Sequence, residues 1–95
     1  MIYISYTPLF NYLEESGITR DTLVREQVIA EGVINRMKHH KNIETATICR
    51  IMDYLQITDI SLVLKVVEIK DGESKKIPDC MRYDYYASKT NKKHR

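Results

Sequence analysis

The chain has 95 residues, 43% of them hydrophobic and 29% charged, with a formal net charge of +2. That describes one ordinary globular domain and excludes wholesale disorder, and no apolar run approaches the roughly 20 residues of a membrane span. The N-terminal Met-Ile-Tyr-Ile-Ser-Tyr has no basic start and no small-residue cleavage site. A cytoplasmic location is therefore expected.

Thr7-Pro8 opens a first helix, Thr as cap and Pro in the first turn, where a missing N–H is harmless. Leu9, Phe10 and Leu13 recur at helical spacing, and Gly17 is suited to end the helix in a left-handed turn. Ile18 is expected to fold back onto it. Thr19 caps a second helix, with Asp21 in the first turn and Leu23 and Val24 facing the core. This helix is expected to reach Gln27, with Val28-Ile29 as the turn.

A third helix is predicted over Ala30–His39, with Val33, Ile34 and Met37 as its apolar stripe. A fourth covers Thr45–Leu55, where Ile48, Ile51, Met52 and Leu55 follow the i, i+3, i+4, i+7 pattern. Thr58 then caps a fifth segment with Ile60, Val63 and Leu64 inward. Val63–Ile69 is rich in β-branched residues, and Asp71-Gly72 suggests a hairpin with a short return arm over Glu73–Ile77. Ile2-Tyr3-Ile4 is the competing partner for Val66–Ile69. A turn of helix is expected around Arg82–Ala87, where Tyr83, Tyr85 and Tyr86 could dock on the core or stack on a partner.

The fold expected is all-α: a bundle of four to five short helices, with a short β element near residues 63–77 and a flexible tail. Residues 1–69 form the domain and 70–95 the tail. The charge divides the same way. Residues 1–69 hold 7 Lys+Arg against 9 Asp+Glu, and residues 70–95 hold 8 against 4. A basic tail can attract phosphate or simply solvate the terminus.

No chemistry-bearing motif suggests an enzyme. There is no hydrolase elbow and no Gly-rich phosphate loop. Cys49 and Cys80 form neither a C-x-x-C pair nor a disulfide framework, and Cys49 is read as a buried thiol. Adjacent His39 and His40 point apart on a helix and make a poor metal pair. No cofactor and no metal are expected.

The informative feature is the pair of short helices in the middle. The ordered set Ser5-Tyr6-Thr7-Pro8-Leu9-Phe10, Leu13, Gly17, Thr19-Arg20-Asp21-Thr22-Leu23, Ile29, Val33-Ile34-Asn35-Arg36-Met37 and Asn42–Ile51 resembles the Cro/lambda-repressor type of helix-turn-helix domain. The likeness is strongest to the short Xre-like regulators of bacteria and mobile elements, and it covers residues 4–64. It implies a transcriptional regulator, a repressor, that binds double-stranded DNA as a homodimer with its third helix in the major groove. It also implies roles: Arg20, Lys38 and Lys41 on phosphates, and Ala30, Glu31 and Gly32 at the start of the reading helix. Asn35 and Arg36 then face bases. Their chemistry fits, since Asn pairs with adenine, Arg with guanine, and Glu accepts from cytosine N4. Gly32 would let the backbone approach DNA closely.

Two departures stand out. Val28 occupies a turn position where the family commonly has Gly, and Glu31 is an acid facing a polyanion. They keep a second reading open, in which the scaffold binds a protein partner such as a toxin or a larger regulator. In the first reading the stretch from the fifth segment through Val63–Ile69, more apolar than one small core needs, is the expected dimer surface; in the second, the strand or the tyrosine-bearing tail binds the partner.

Overall fold

A computed structural model describes residues 1–70, 72, 73 and 76–81. The tyrosine segment around 82–87, most of the basic tail and Asp71 of the expected hairpin turn lie outside the described residues. The fold is mostly helical, with four helices and a two-stranded sheet. The order is β1 (Ile2–Ser5), α1 (Thr7–Glu15), α2 (Arg20–Arg25), α3 (Val33–Lys38), α4 (Thr45–Leu55) and β2 (Lys65–Glu68). Single 3-10 turns sit at Ile60–Leu62 and Asp79–Met81.

The expected short β element is a two-stranded sheet on this mostly helical fold, formed by the Ile2–Ile4 partner that the sequence offered. β2 pairs antiparallel with β1, in the register Ile2↔Glu68, Tyr3↔Val67, Ile4↔Val66 and Ser5↔Lys65. The described residues of the return arm, 73, 76 and 77, are not in a strand. Tyr3 on β1 packs with Met1, Ile69 and Met81 into a small second core, to which the arm contributes its last residue, Ile77.

Helix α1 starts where its donors can be satisfied. The sequence suggested Thr7 as cap, but Thr7 is itself helical and its N–H is received by the Ser5 hydroxyl at 3.3 Å. Pro8 has no N–H, Leu9 donates to the Val63 carbonyl at 3.2 Å, and Phe10 donates to Tyr6. All the first-turn donors are thereby accounted for, and one of those bonds ties β1–α1 to the distant Val63. Gly17, at φ 71°, ends the segment as expected.

The main core gathers Leu9, Leu13, Leu23, Val28, Ile29, Val33, Met37, Ile51 and Val63, all buried, with Ile18, Ile34, Ile48 and Met52 packed against it. Four local expectations are corrected. Cys49 is exposed, because it lies about 160° around α4 from Ile51, opposite the face that carries Thr47, Ile51 and Leu55. Ile60 is exposed rather than inward. Asp59, not Thr58, caps the 3-10 turn, receiving the Ser61 N–H at 3.0 Å and the Ser61 hydroxyl at 2.7 Å. The fifth segment is that single 3-10 turn and not a helix.

Candidate nucleic-acid interface

Helices α2 and α3 are both six residues long and are joined by seven residues, Glu26–Gly32. Thr19 caps α2, its Oγ1 accepting the Thr22 N–H at 3.3 Å. The helix ends at Arg25, two residues before the expected Gln27. Gln27 takes the left-handed conformation, φ 59°, and Val28 and Ile29 then both donate to the Leu23 carbonyl, at 2.9 and 3.3 Å. This resolves the problem posed by a β-branched Val28. Gln27, one residue earlier, takes the positive φ, and Val28 is released to plug the core.

The turn is held from a second side. Arg50 on α4 donates from Nε to the Val28 carbonyl at 3.3 Å and from Nη2 to Thr47 Oγ1 at 3.3 Å. The second bond satisfies a hydroxyl on a buried threonine. Sequence reading missed Arg50. Its partner is 22 residues away, and an arginine on a helix otherwise reads as a solvated charge.

The third helix itself is shorter than expected. It spans Val33–Lys38, so Ala30, Glu31 and Gly32 are not its first turn, as the span Ala30–His39 had them. They form its approach, with exposed side chains at Ala30 and Glu31. Gly32, at φ 92°, stands immediately before the first helical residue. A Cβ there would meet nothing within 4 Å. Glycine is therefore needed for its backbone conformation, and close approach to a partner is not what requires it.

Val33 and Met37 point inward and set the orientation of α3. At about 100° per residue, Asn35 then stands on the outward crest, with Lys38 on the flank toward α2 and Arg36 on the other. All three are exposed. His39 closes the end of the helix, its Nδ1 2.9 Å from the Asn35 carbonyl, which requires the proton on that nitrogen.

Five of the eight predicted residues share one groove. Arg20, Glu31, Gly32, Asn35 and Lys38 line it together with Asp21, Val24 and Ile34. Among the described residues, none of its four charges, Arg20, Asp21, Glu31 and Lys38, is within ion-pair distance of another. Arg20 is nonetheless fixed. Its guanidinium lies 4.3 Å from the centroid of the Phe10 ring, a contact that no local spacing announces. Arg36 does not line the groove. Lys41 lies in the loop after α3, donating its N–H to the Arg36 carbonyl at 2.9 Å, and it faces β1. Ala30 is exposed in the turn.

His40 parts from His39, as adjacent positions should. Its Nδ1 is 3.1 Å from the Ile4 carbonyl, and its ring meets Tyr3 edge-on at 4.6 Å. No cluster of three His, Cys, Asp or Glu that could hold a metal occurs among the described residues, and none of their helices is long and apolar enough to cross a membrane. Comparison with protein-family profiles, with characterised proteins and with solved structures gives no match.

Proposed function

We propose that this protein is a sequence-specific duplex-DNA-binding regulator of the Cro/lambda-repressor helix-turn-helix type, acting as a repressor. The observation that carries the reading is the α2–α3 surface. A short helix with a buried back presents Asn35 on its crest between Arg36 and Lys38, beside a groove that holds Arg20 and Glu31. A helix with its side chains is about 10–12 Å across, which suits a major groove about 12 Å wide.

The roles follow from chemistry. Arg20, Lys38 and Lys41 contact phosphates and set the register. Asn35 pairs with adenine, Arg36 with guanine, and Glu31 accepts from cytosine N4 or rejects other bases by repulsion. With Asp21 and Glu31 so close, indiscriminate binding is weak, so affinity depends on the correct base sequence. Two copies on a two-fold operator complete the unit. No acid–base pair or nucleophile is assigned to this surface, and the reading is not enzymatic.

Selection of bound sites from a random duplex pool tests this. A two-fold motif is expected, and Asn35→Ala with Arg36→Ala should remove most of the selectivity. Unchanged operator affinity in that double variant would overturn the assignment.

A protein-interaction module is the second reading. It is favoured by the outer sheet face, where Ile2, Ile4 and Val66 are 66%, 43% and 64% exposed. In that case binding to the random pool is absent or insensitive to salt.

A further inference from the structure

A cleft of about 500 Å³ separates the outer edge of β1 from the loop after α3 and the start of α4. That size is within the range of small-molecule sites. Of the residues assigned to DNA, only Lys41 lines it. Tyr6 also lines it and is 4% exposed, yet its hydroxyl has no hydrogen-bond partner among the described residues. A buried hydroxyl left without a partner is costly. Burial raises its pKa, so it stays an O–H donor.

Other donors face the same space. Met1 and Ile69 exchange both backbone hydrogen bonds, so by alternation the N–H and C=O of Ile4 point away from β2. His40 meets that carbonyl at 3.1 Å from the cleft side, and the Ile4 N–H points the same way. Helix α4 begins here without a side-chain cap. The N–H groups of Thr45 and Ala46 have no acceptor among the described residues, and Glu44 at the cap position is exposed. Lys41 adds a full positive charge at the exposed rim, and no Asp or Glu among the described residues lines the cleft. The remaining wall is apolar, with Ile43, Ile48, Leu64, Met81 and the ring of Tyr3. Unused donors, one cation and the positive end of a helix select an anionic head, and the wall selects an apolar body. The Tyr3 ring and the Met81 thioether suit a flat aromatic one.

We propose that this cleft binds a small aromatic carboxylic acid, with its carboxylate received by the Tyr6 hydroxyl, the Lys41 ammonium and the start of α4, and its ring against the apolar wall. The site goes beyond the DNA-binding reading and does not depend on it.

The chain contains no tryptophan, so the emission of indoleacetate is read directly as it is titrated with the full chain. Saturable binding is expected. Indoleacetamide, the same ring without the charge, should bind about tenfold more weakly. Tyr6→Phe should raise the dissociation constant of indoleacetate about tenfold. Its urea midpoint should match or exceed that of the wild type, because the lost hydroxyl has no partner in the fold. Absence of saturable binding overturns the proposal. So does equal binding of the two probes, or wild-type affinity in Tyr6→Phe. A lower urea midpoint for that variant overturns it too, since the hydroxyl would then serve the fold. Displacement of indoleacetate by octanoate at lower concentration than by naphthoate would overturn the aromatic body.

Discussion

The guanidinium of Arg20 rests over the ring of Phe10, 4.3 Å from its centroid, and the same arginine lines the α2–α3 groove. The ring limits where this charge can go. It thereby reduces the side-chain entropy lost when Arg20 meets an anion.

Phe10→Leu keeps an apolar side chain but removes the π face. Operator affinity is expected to fall a few-fold, with the dependence of binding on salt unchanged. Arg20→Ala should instead reduce the slope of log K against log salt by about 0.9, the value for one phosphate contact. Fluorescence anisotropy across a salt series measures both.

Arg50→Met removes the bonds to the Val28 carbonyl and to Thr47 while keeping most of the stem. A loss of about 1–2 kcal/mol in unfolding free energy is expected, read by urea denaturation. Arg50→Lys should recover only part of it, because one ammonium group cannot span both acceptors in the planar geometry of a guanidinium.

Gly32→Ala should destabilise the fold by about 1–2 kcal/mol although the added methyl group meets no neighbour. The cost is the left-handed backbone alone. Gln27→Gly makes the opposite comparison at φ 59°. It relieves a similar strain but frees the unfolded chain, so a change within about 1 kcal/mol is expected. A thermal melt of each variant checks the pair.

Acid should loosen the segment before β2. Hydrogen bonds from the Ser61 hydroxyl and N–H hold the Asp59 carboxyl below its ordinary value of 3.8. A group that ionises more readily when folded stabilises the fold above its unfolded pKa, and that contribution disappears as pH falls through the lower folded value. Asp59→Asn should therefore be less stable than the wild type at neutral pH. The gap should close as pH drops below 3.8, measured as Tm against pH.

Much of the architecture was legible in local sequence. Thr19, Gly17 and the 3.6-residue pattern of Thr45–Leu55 placed four helix boundaries, because capping and periodicity act within a few residues. The same local reasoning overran α3 by three residues at its start. Ala30 and Glu31 are compatible with helix, and only the packing of Val28 and Ile29 into the core forces the chain through Gly32 in a left-handed turn.

The sequence by itself determined a small, mostly helical domain with two short central helices, and it named Arg20, Ala30, Glu31, Gly32, Asn35, Arg36, Lys38 and Lys41 as a set. Tertiary structure decided which of them share a groove, separating Ala30, Arg36 and Lys41 from the rest. It also decided that β1 pairs with β2, that Phe10 holds Arg20, and that Arg50 braces the turn. The division has one physical cause. Caps and helical periods are written in neighbouring residues, whereas these contacts join residues 10 or more apart, whose meeting depends on how the helices pack around Leu23, Val33 and Met37.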